Sequence, residues 1–377
     1  MSKTFGNACS ALLGVAILTR AAVPWLPAGP WSPSGYQCGS YYLFLPLGRT
    51  HSCTAEAAFG EEARVTNRLE FSTFRRERFT VDEHGYRNDS LNEAGKPRVI
   101  LFGSSFSLGL SLSDEDTLSA QLTRRLGYTV YNASDVLNPV LSAGPLTRAA
   151  KAINMEKGWV LLELLDRAPY YWAQTSAPTF RQRLKQQARD TLAPLQSVER
   201  RMRNPYVVTR VSTMLNKHFE NNVVLPNAST PFAPEEVLTN SRHMLFYIED
   251  EKFFEKPADP RLTVNAVVRL REDLAREGLK LAVMLMPSGY TVYYPMFREG
   301  SGADGGGVYM EVLREQLNGA GVHVYNCLPV LREEAARELA QNRLIFWPDD
   351  AHWNPRGVAA VANALTPWLR SLTDAVQ

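Results

Sequence analysis

Short apolar runs alternate with segments of helical spacing over much of the chain. The apolar runs are typical of buried strands, and they fall at residues 98–102, 128–131, 159–164, 279–285, 322–325 and 344–346. Helical spacing occurs between and after them, at residues 114–126, 146–153, 262–277, 309–317 and 355–372. Strands that alternate with helices in this way predict an α/β domain, in which a parallel sheet carries helices on both faces.

Two stretches do not follow the alternation. Residues 27–96 are rich in proline, glycine and aromatic residues, and they predict an irregular lead-in with short strands. Residues 168–258 are polar, basic and poor in strand signals, and they predict a helical insertion into an α/β domain that spans residues 97–377. The glycine-rich segment 300–307 follows no strand and precedes no Lys-Ser/Thr pair, so it predicts a loop without a phosphate-binding role.

The first 26 residues have the features of an export signal. One positive charge, Lys3, precedes the apolar run at 11–18, and Arg20 separates that run from a second at 21–26. A full membrane span normally needs about 20 apolar residues, so this segment is marginal as one. We expect an exported protein whose N-terminal segment is a secretory signal or an uncleaved anchor. A buried N-terminal helix is the alternative.

The composition narrows the classes of partner. A hydrophobic content of 45% and a charged content of 21% indicate a globular protein, and a net charge of +2 gives no indication of a nucleic-acid partner. Basic residues concentrate at 181–210, which predicts either a solvated helical face or a surface for polyanions or lipid headgroups.

Cysteine and histidine spacing excludes the common metal motifs. No pair of the four cysteines has C-x-x-C spacing and the histidines are scattered singly, so we expect no metal and no organic cofactor. Cys38 and Cys53 could close a loop in an oxidising compartment, and the sequence leaves this pairing open.

A candidate nucleophile follows the strand at 98–102. The sequence Gly-Ser-Ser-Phe-Ser-Leu-Gly at 103–109 places two serines at the carboxyl end of this strand, where sites gather in open α/β sheets. The amide groups at the start of the next helix would point toward them. We predict Ser105 as the nucleophile and Ser104 as a hydrogen-bonding neighbour. An ordinary polar turn is the alternative.

A candidate base lies near the end of the chain. His352 stands between the run at 344–346 and the final predicted helix, again at a carboxyl end. A serine hydroxyl becomes a nucleophile when a base takes its proton and a third group orients that base. We expect Asp350 to orient His352, with Asp349 as the alternative.

Both segments resemble blocks of one family. The sequence at 103–109 resembles the Gly-Asp-Ser block of the SGNH/GDSL hydrolase superfamily, and Asp-Ala-His-Trp-Asn at 350–354 resembles its Asp-x-His-Trp-Asn block. Within that superfamily, the chain resembles in particular the branch of periplasmic polysaccharide O-acetyltransferases similar to those that act on alginate. Three weaker likenesses occur at residues 80–88, 160–167 and 286–293. The resemblance implies an SGNH-like three-layer fold, with a parallel sheet flanked by helices.

The chain also departs from the family pattern. Ser104 replaces the aspartate of the first block, Asp166 stands near the place of the asparagine that usually serves the oxyanion, and serine replaces lysine at position 288. We expect the backbone of Ala133 or Ser134 to donate to the oxyanion, and Arg167 to replace the missing asparagine.

The family resemblance implies a function with three alternatives. The first is an exported serine-dependent O-acyltransferase that acts on a cell-envelope or extracellular polysaccharide through an acyl-enzyme, most simply by acetyl transfer. The others are a carbohydrate esterase with the same three residues and a catalytically inactive polysaccharide-binding relative. The implied partners are a polysaccharide acceptor, an acyl donor and a membrane-bound acyl-transfer partner. The implied location is the periplasm, free or membrane-anchored.

Overall fold

The computed structural model describes residues 51–58, 60, 62–63, 68–89, 95–134, 143–167, 234–255, 257, 259–299 and 304–374. The predicted signal or anchor segment, the basic stretch at 181–210 and Cys38 lie outside these residues. The strands are β1 (His51–Ala58), β2 (Arg75–Val81), β3 (Val99–Phe102), β4 (Val130–Asn132), β5 (Gly158–Leu165), β6 (Glu235–Val237), β7 (His243–Leu245), β8 (Leu279–Met286) and β9 (His323–Asn326). The helices are α1 (Ser105–Leu108), α2 (Leu118–Leu126), α3 (Ala143–Ala152), α4 (Ile248–Glu255), α5 (Pro260–Arg276), α6 (Gly289–Tyr293), α7 (Gly305–Gly319), α8 (Leu328–Leu339) and α9 (Pro355–Asp374).

Five parallel strands form the central sheet, in the order β4-β3-β5-β8-β9. Its middle strands are buried on both sides, as expected where helices cover both faces of a parallel sheet. Helices α2, α8 and α9 pack together in one group. Helices α3, α5 and α7 form a second group and pack on strands β3, β8 and β9, respectively. The predicted fold class, a parallel sheet flanked by helices, is confirmed.

The structure differs from the prediction at three places. Residues 344–346 form no strand, because their backbone groups bond to Tyr293 and Asn354 instead of to a neighbouring strand. Helix α8 was not predicted. Helix α7 begins at Gly305, inside the predicted glycine-rich loop, because the carboxylate of Asp304 caps it by accepting the amide of Gly307 at 3.0 Å.

The end of the predicted insertion packs into the core. Strands β6 and β7 form an antiparallel pair, and α4 follows them. Leu238, Phe246 and Phe254 from this stretch are buried in the same apolar cluster as the central strands. Residues 234–255 therefore contribute to the core of the α/β domain.

The described part of the lead-in contains an antiparallel pair, β1 and β2, as the prediction of short strands anticipated. Strand β2 begins at Arg75, whose side chain is buried. Among the residues with described structure, no helix is both long and apolar enough to cross a membrane.

Candidate active site

The hydroxyl of Ser105 lies against the imidazole of His352. Ser105 is the first residue of α1, directly after β3 and Gly103. A Cβ at Gly103 would lie 2.5 Å from the Cβ of Glu163 on the neighbouring strand, so only glycine fits this tight path. The path brings Ser105 Oγ to 2.7 Å from His352 Nε2, which is a direct hydrogen bond between residues 247 positions apart.

Asp350 holds the other side of the imidazole. Its Oδ1 lies 2.5 Å from His352 Nδ1 and accepts the backbone amide of His352 at 2.9 Å. Burial alone would raise the pKa of Asp350, but His352 and Arg75 outweigh burial and hold that pKa below its usual range. The carboxylate is therefore ionised and accepts a hydrogen bond from Nδ1, which leaves the Nε2 lone pair directed at Ser105.

Asp349 faces away from the imidazole. It accepts the backbone amides of Gly60 at 2.7 Å and Thr73 at 2.8 Å, and it pairs with Arg75 Nη1 at 3.1 Å. Burial raises the pKa of Asp349 despite these donors. Of the two candidate carboxylates, Asp350 is the one that contacts His352, whereas Asp349 fixes the lead-in to the histidine loop.

Arg75 connects the lead-in to both carboxylates. Its guanidinium lies 3.1 Å from Asp349 and 3.2 Å from Asp350, and it stacks over the ring of Trp347 at 4.4 Å. No sequence pattern predicted a role for this residue, because Arg75 belongs to no motif and precedes the α/β pattern. In the sequence it is only a charged residue at the start of a strand, and such a residue is usually solvated.

A buried carboxyl group lies beside the serine block although the motif lacks its aspartate. Glu163 on β5 accepts the hydroxyl of Ser104 at 2.5 Å and the amide of Ser107 at 2.8 Å. Burial raises the pKa of Glu163. Ser104 is therefore a hydrogen-bonding neighbour of the block, as predicted, and its partner comes from the adjacent strand.

The first turn of α1 leaves one amide for an oxyanion. The amide of Phe106 donates to Ser104 Oγ and the amide of Ser107 donates to Glu163. Ser105 occupies the first helical position, which has no intrahelical acceptor, and its amide bonds to no other acceptor within the described ranges. The amide of Ser105 is thus the available donor beside the hydroxyl.

The expected backbone donors that follow β4 already have hydrogen-bond acceptors. The amide of Ala133 donates to the carbonyl of Leu101 at 2.8 Å, and the amide of Ser134 donates to Asn132 Oδ1 at 3.0 Å. The bond of Ala133 continues the sheet, and the bond of Ser134 closes a local turn with a side chain, so both N–H groups are already used. This corrects the expectation that either backbone amide donates to an oxyanion.

The residues after β5 are tied to other elements. Arg167 bonds to Asp250 and stacks over Tyr247 at 4.8 Å, and these contacts hold its guanidinium against the region of α4. Asp166 accepts the amide of Ser288 at 2.8 Å and the hydroxyl of Thr291 at 2.7 Å. The carboxylate near the place of the missing asparagine therefore anchors the start of α6.

Removal of the Glu163 side chain should destabilise the serine block. We expect Glu163→Ala to lower the free energy of unfolding by about 2–4 kcal/mol, because it opens a cavity and leaves the Ser107 amide unpaired. Glu163→Gln keeps the side-chain volume and one acceptor oxygen, so its free energy of unfolding should fall clearly less than that of Glu163→Ala. Chemical denaturation measures both, with exposed Glu156→Gln as the matched control. Equal stability of the alanine variant and wild type would contradict this role.

A side chain at Gly60 should displace the histidine loop. A Cβ there would lie 1.8 Å from the carbonyl oxygen of Asp349, so one segment must move. We expect Gly60→Ala to cost about 1–3 kcal/mol of stability and to lower acyl turnover. The control is Gly319→Ala, where a Cβ meets nothing within 4 Å. Thermal unfolding that is unchanged by Gly60→Ala would refute the close approach.

The fold and these contacts define a class of protein: an α/β enzyme with a serine, a histidine and an aspartate linked at the carboxyl edge of its parallel sheet. Residues 243–376 match the family described as "SGNH hydrolase-like domain, acetyltransferase AlgX". The match includes His352 and Asp350, and it confirms the predicted resemblance to the SGNH superfamily and its alginate-acetyltransferase branch. Residues 243–376 are thus similar to an SGNH-type acetyltransferase domain, and this similarity supports an SGNH-type O-acyltransferase or esterase.

The similarity of the chain to solved structures is distant. Est24, a carbohydrate acetylesterase from Sinorhizobium meliloti, is 10% identical, with 74% of this chain and 100% of that chain covered and a TM-score of 0.35. The acetyl xylan esterase AlAXEase is 10% identical, with 72% and 98% covered and a TM-score of 0.36. Similarity at this level carries no conclusion about substrate. No curated protein matches the chain significantly.

Proposed function

We propose that this protein is an exported O-acyltransferase that moves an acyl group, most simply acetyl, to a hydroxyl of a cell-envelope or extracellular polysaccharide. The observation that carries the proposal is the hydrogen-bonded series Ser105–His352–Asp350, with 2.7 Å and 2.5 Å between the linked atoms. The family match to acetyltransferases favours transfer over hydrolysis.

In the first half-reaction, Ser105 Oγ attacks the carbonyl carbon of the acyl donor while His352 Nε2 takes the hydroxyl proton. Negative charge develops on the carbonyl oxygen, and the amide of Ser105 is the donor placed to stabilise it; loss of one such donor typically costs about 3–4 kcal/mol. Asp350 stabilises the imidazolium that forms. The bond to the leaving group then breaks, and His352 returns its proton to that group.

In the second half-reaction, a sugar hydroxyl attacks the acyl carbon of the Ser105 ester. His352 takes the proton of the incoming hydroxyl and gives it to Ser105 Oγ when the ester bond breaks. The products are an acylated sugar and the original serine. Water in place of the sugar would give the esterase reaction with the same three residues, so the outcome depends on the incoming nucleophile.

Transfer and hydrolysis are separable in one experiment. The protein is incubated with para-nitrophenyl acetate, with and without alginate oligosaccharides and other envelope glycans, and both nitrophenol release and glycan-bound acetyl are measured. We expect release that rises with acceptor, with acetyl recovered on the glycan. Release that is independent of every acceptor, with acetate as the product, would assign an esterase. No release under any condition would favour the inactive polysaccharide-binding alternative.

The N-terminal apolar segment at 11–18 and the resemblance to periplasmic acetyltransferases support export. A membrane-bound partner that supplies the acyl group, and an N-terminal membrane anchor, belong to the same proposal. Fractionation of cells that express the full chain tests the location. Recovery in the cytoplasmic fraction alone would contradict export.

A further inference from the structure

Asp350 is held at both of its oxygens, and one of the holding residues has an unusual backbone. While Oδ1 faces His352, Oδ2 accepts the hydroxyl of Ser111 at 2.8 Å and lies 3.2 Å from Arg75 Nη2. Ser111 Oγ also accepts a hydrogen bond from Arg75 Nη2 at 3.1 Å. The serine hydroxyl therefore bridges the guanidinium and the carboxylate that orients the imidazole.

Ser111 has a φ of 64°, in the left-handed region that residues other than glycine, asparagine and aspartate seldom adopt. Such a backbone persists only where the surroundings impose it, and it often occurs at functional sites. The Ser111 side chain is buried, so this left-handed backbone does not belong to an exposed surface turn.

Arg87 imposes this conformation on the loop. Its buried guanidinium donates to the carbonyl oxygens of Leu108, Gly109 and Leu112, on both sides of Ser111. Its Nε pairs with Asp114 at 3.2 Å, and its guanidinium lies 4.0 Å from the centre of the Phe79 ring. The loop between α1 and the turn at Asp114 is thus fixed from the lead-in side.

We propose that Ser111 is a positioning residue for the reaction: its left-handed backbone directs the hydroxyl to the outer oxygen of Asp350 and fixes the angle at which that carboxylate meets His352. This inference rests on the proposed function. A carboxylate that accepts at Oδ2 from two fixed donors cannot rotate away from Nδ1 without losing both bonds. Ser111 and Arg75 therefore keep the imidazole aligned with Ser105.

Two substitutions at this position separate positioning from stability. Ser111→Gly removes the hydroxyl but adopts the left-handed backbone without strain, so its melting temperature should stay close to that of the wild type. Its kcat for para-nitrophenyl acetate should fall about 10- to 100-fold with KM little changed, as expected for one lost hydrogen bond to a charged group. Ser111→Ala loses the hydroxyl and keeps the strain, so its kcat should fall by a similar factor.

The control is Ser241→Gly. Ser241 also has a left-handed backbone, with φ of 68°, but it is exposed in the turn between β6 and β7. It should keep the wild-type kcat.

Wild-type kcat in Ser111→Gly, with Ser105→Ala inactive, would overturn the positioning role and leave the proposed function intact. Full turnover in Ser105→Ala would overturn both. A fall in kcat for Ser111→Gly that is matched by an equal fall for Ser241→Gly would assign the effect to the backbone and also overturn the positioning role.

Discussion

Replacement of Ser105 by alanine is expected to reduce acyl turnover by about 10⁴-fold or more, since the covalent route disappears and only binding and oxyanion stabilisation remain. The change removes one oxygen atom whose bond is to His352 and keeps the amide of residue 105. The variant should therefore fold and should still bind substrate. Stopped assays with para-nitrophenyl acetate measure the rate, and circular dichroism verifies the fold.

A neighbouring serine provides the matched control. Ser107→Ala changes a hydroxyl in the same block but preserves the amide that bonds to Glu163. It should retain most of the wild-type turnover. If Ser105→Ala and Ser107→Ala were equally active, Ser105 would not be the nucleophile.

Replacement of Asp350 by asparagine should have the second-largest effect, a loss of about 10⁴-fold in kcat with KM little changed. The asparagine would occupy the same space, but its amide N–H₂ can hydrogen-bond Nδ1 as a donor. That would place the imidazole proton on Nε2, and a protonated Nε2 cannot accept the proton of Ser105. Initial-rate kinetics over a range of substrate concentrations separate kcat from KM.

The adjacent aspartate distinguishes orientation from anchoring. Asp349→Asn weakens bonds to Gly60, Thr73 and Arg75, all of which hold the lead-in in place. We expect it to lower thermal stability and to reduce kcat far less than Asp350→Asn does. Comparable losses, or the reverse order, would assign the orienting role to Asp349.

The sequence predicted the central sheet because both faces of its middle strands are covered, so those strands are continuous apolar runs that differ sharply from the amphipathic helices. It also predicted the residues that now lie together, Ser105, His352 and Asp350. Ser105 follows the carboxyl end of β3, where sites gather in open α/β sheets. The histidine motif follows residues 344–346, which form no strand, so its predicted place was reached by way of a strand that the structure does not contain. The catalytic roles of these three residues remain predictions for the experiments above.

The surrounding residues could not be predicted, for physical reasons. Arg75, Ser111 and Glu163 act through contacts with residues distant in sequence, and no local pattern encodes such contacts. The left-handed backbone of Ser111 has no signature, since a glycine would mark it and a serine does not. Residues 344–346 look like a strand because they are apolar, yet whether an apolar segment pairs depends on the neighbours that the fold supplies.

The engaged amides of Ala133 and Ser134 illustrate the same limit. Sequence position placed both beside the nucleophile strand, in agreement with the structure. Whether a backbone N–H is available depends on the register of the sheet and on one side chain, Asn132. Neither property can be obtained from the block motif.

The most direct test of the Ser105–His352–Asp350 arrangement is peptide mass mapping of the protein after treatment with a serine-reactive fluorophosphonate. The predicted result is a single covalent label on the peptide that contains Ser105, formed much more slowly in Asp350→Asn and absent from Ser105→Ala. An unlabelled wild-type protein, or an equal label on the Ser105→Ala variant, would contradict the account.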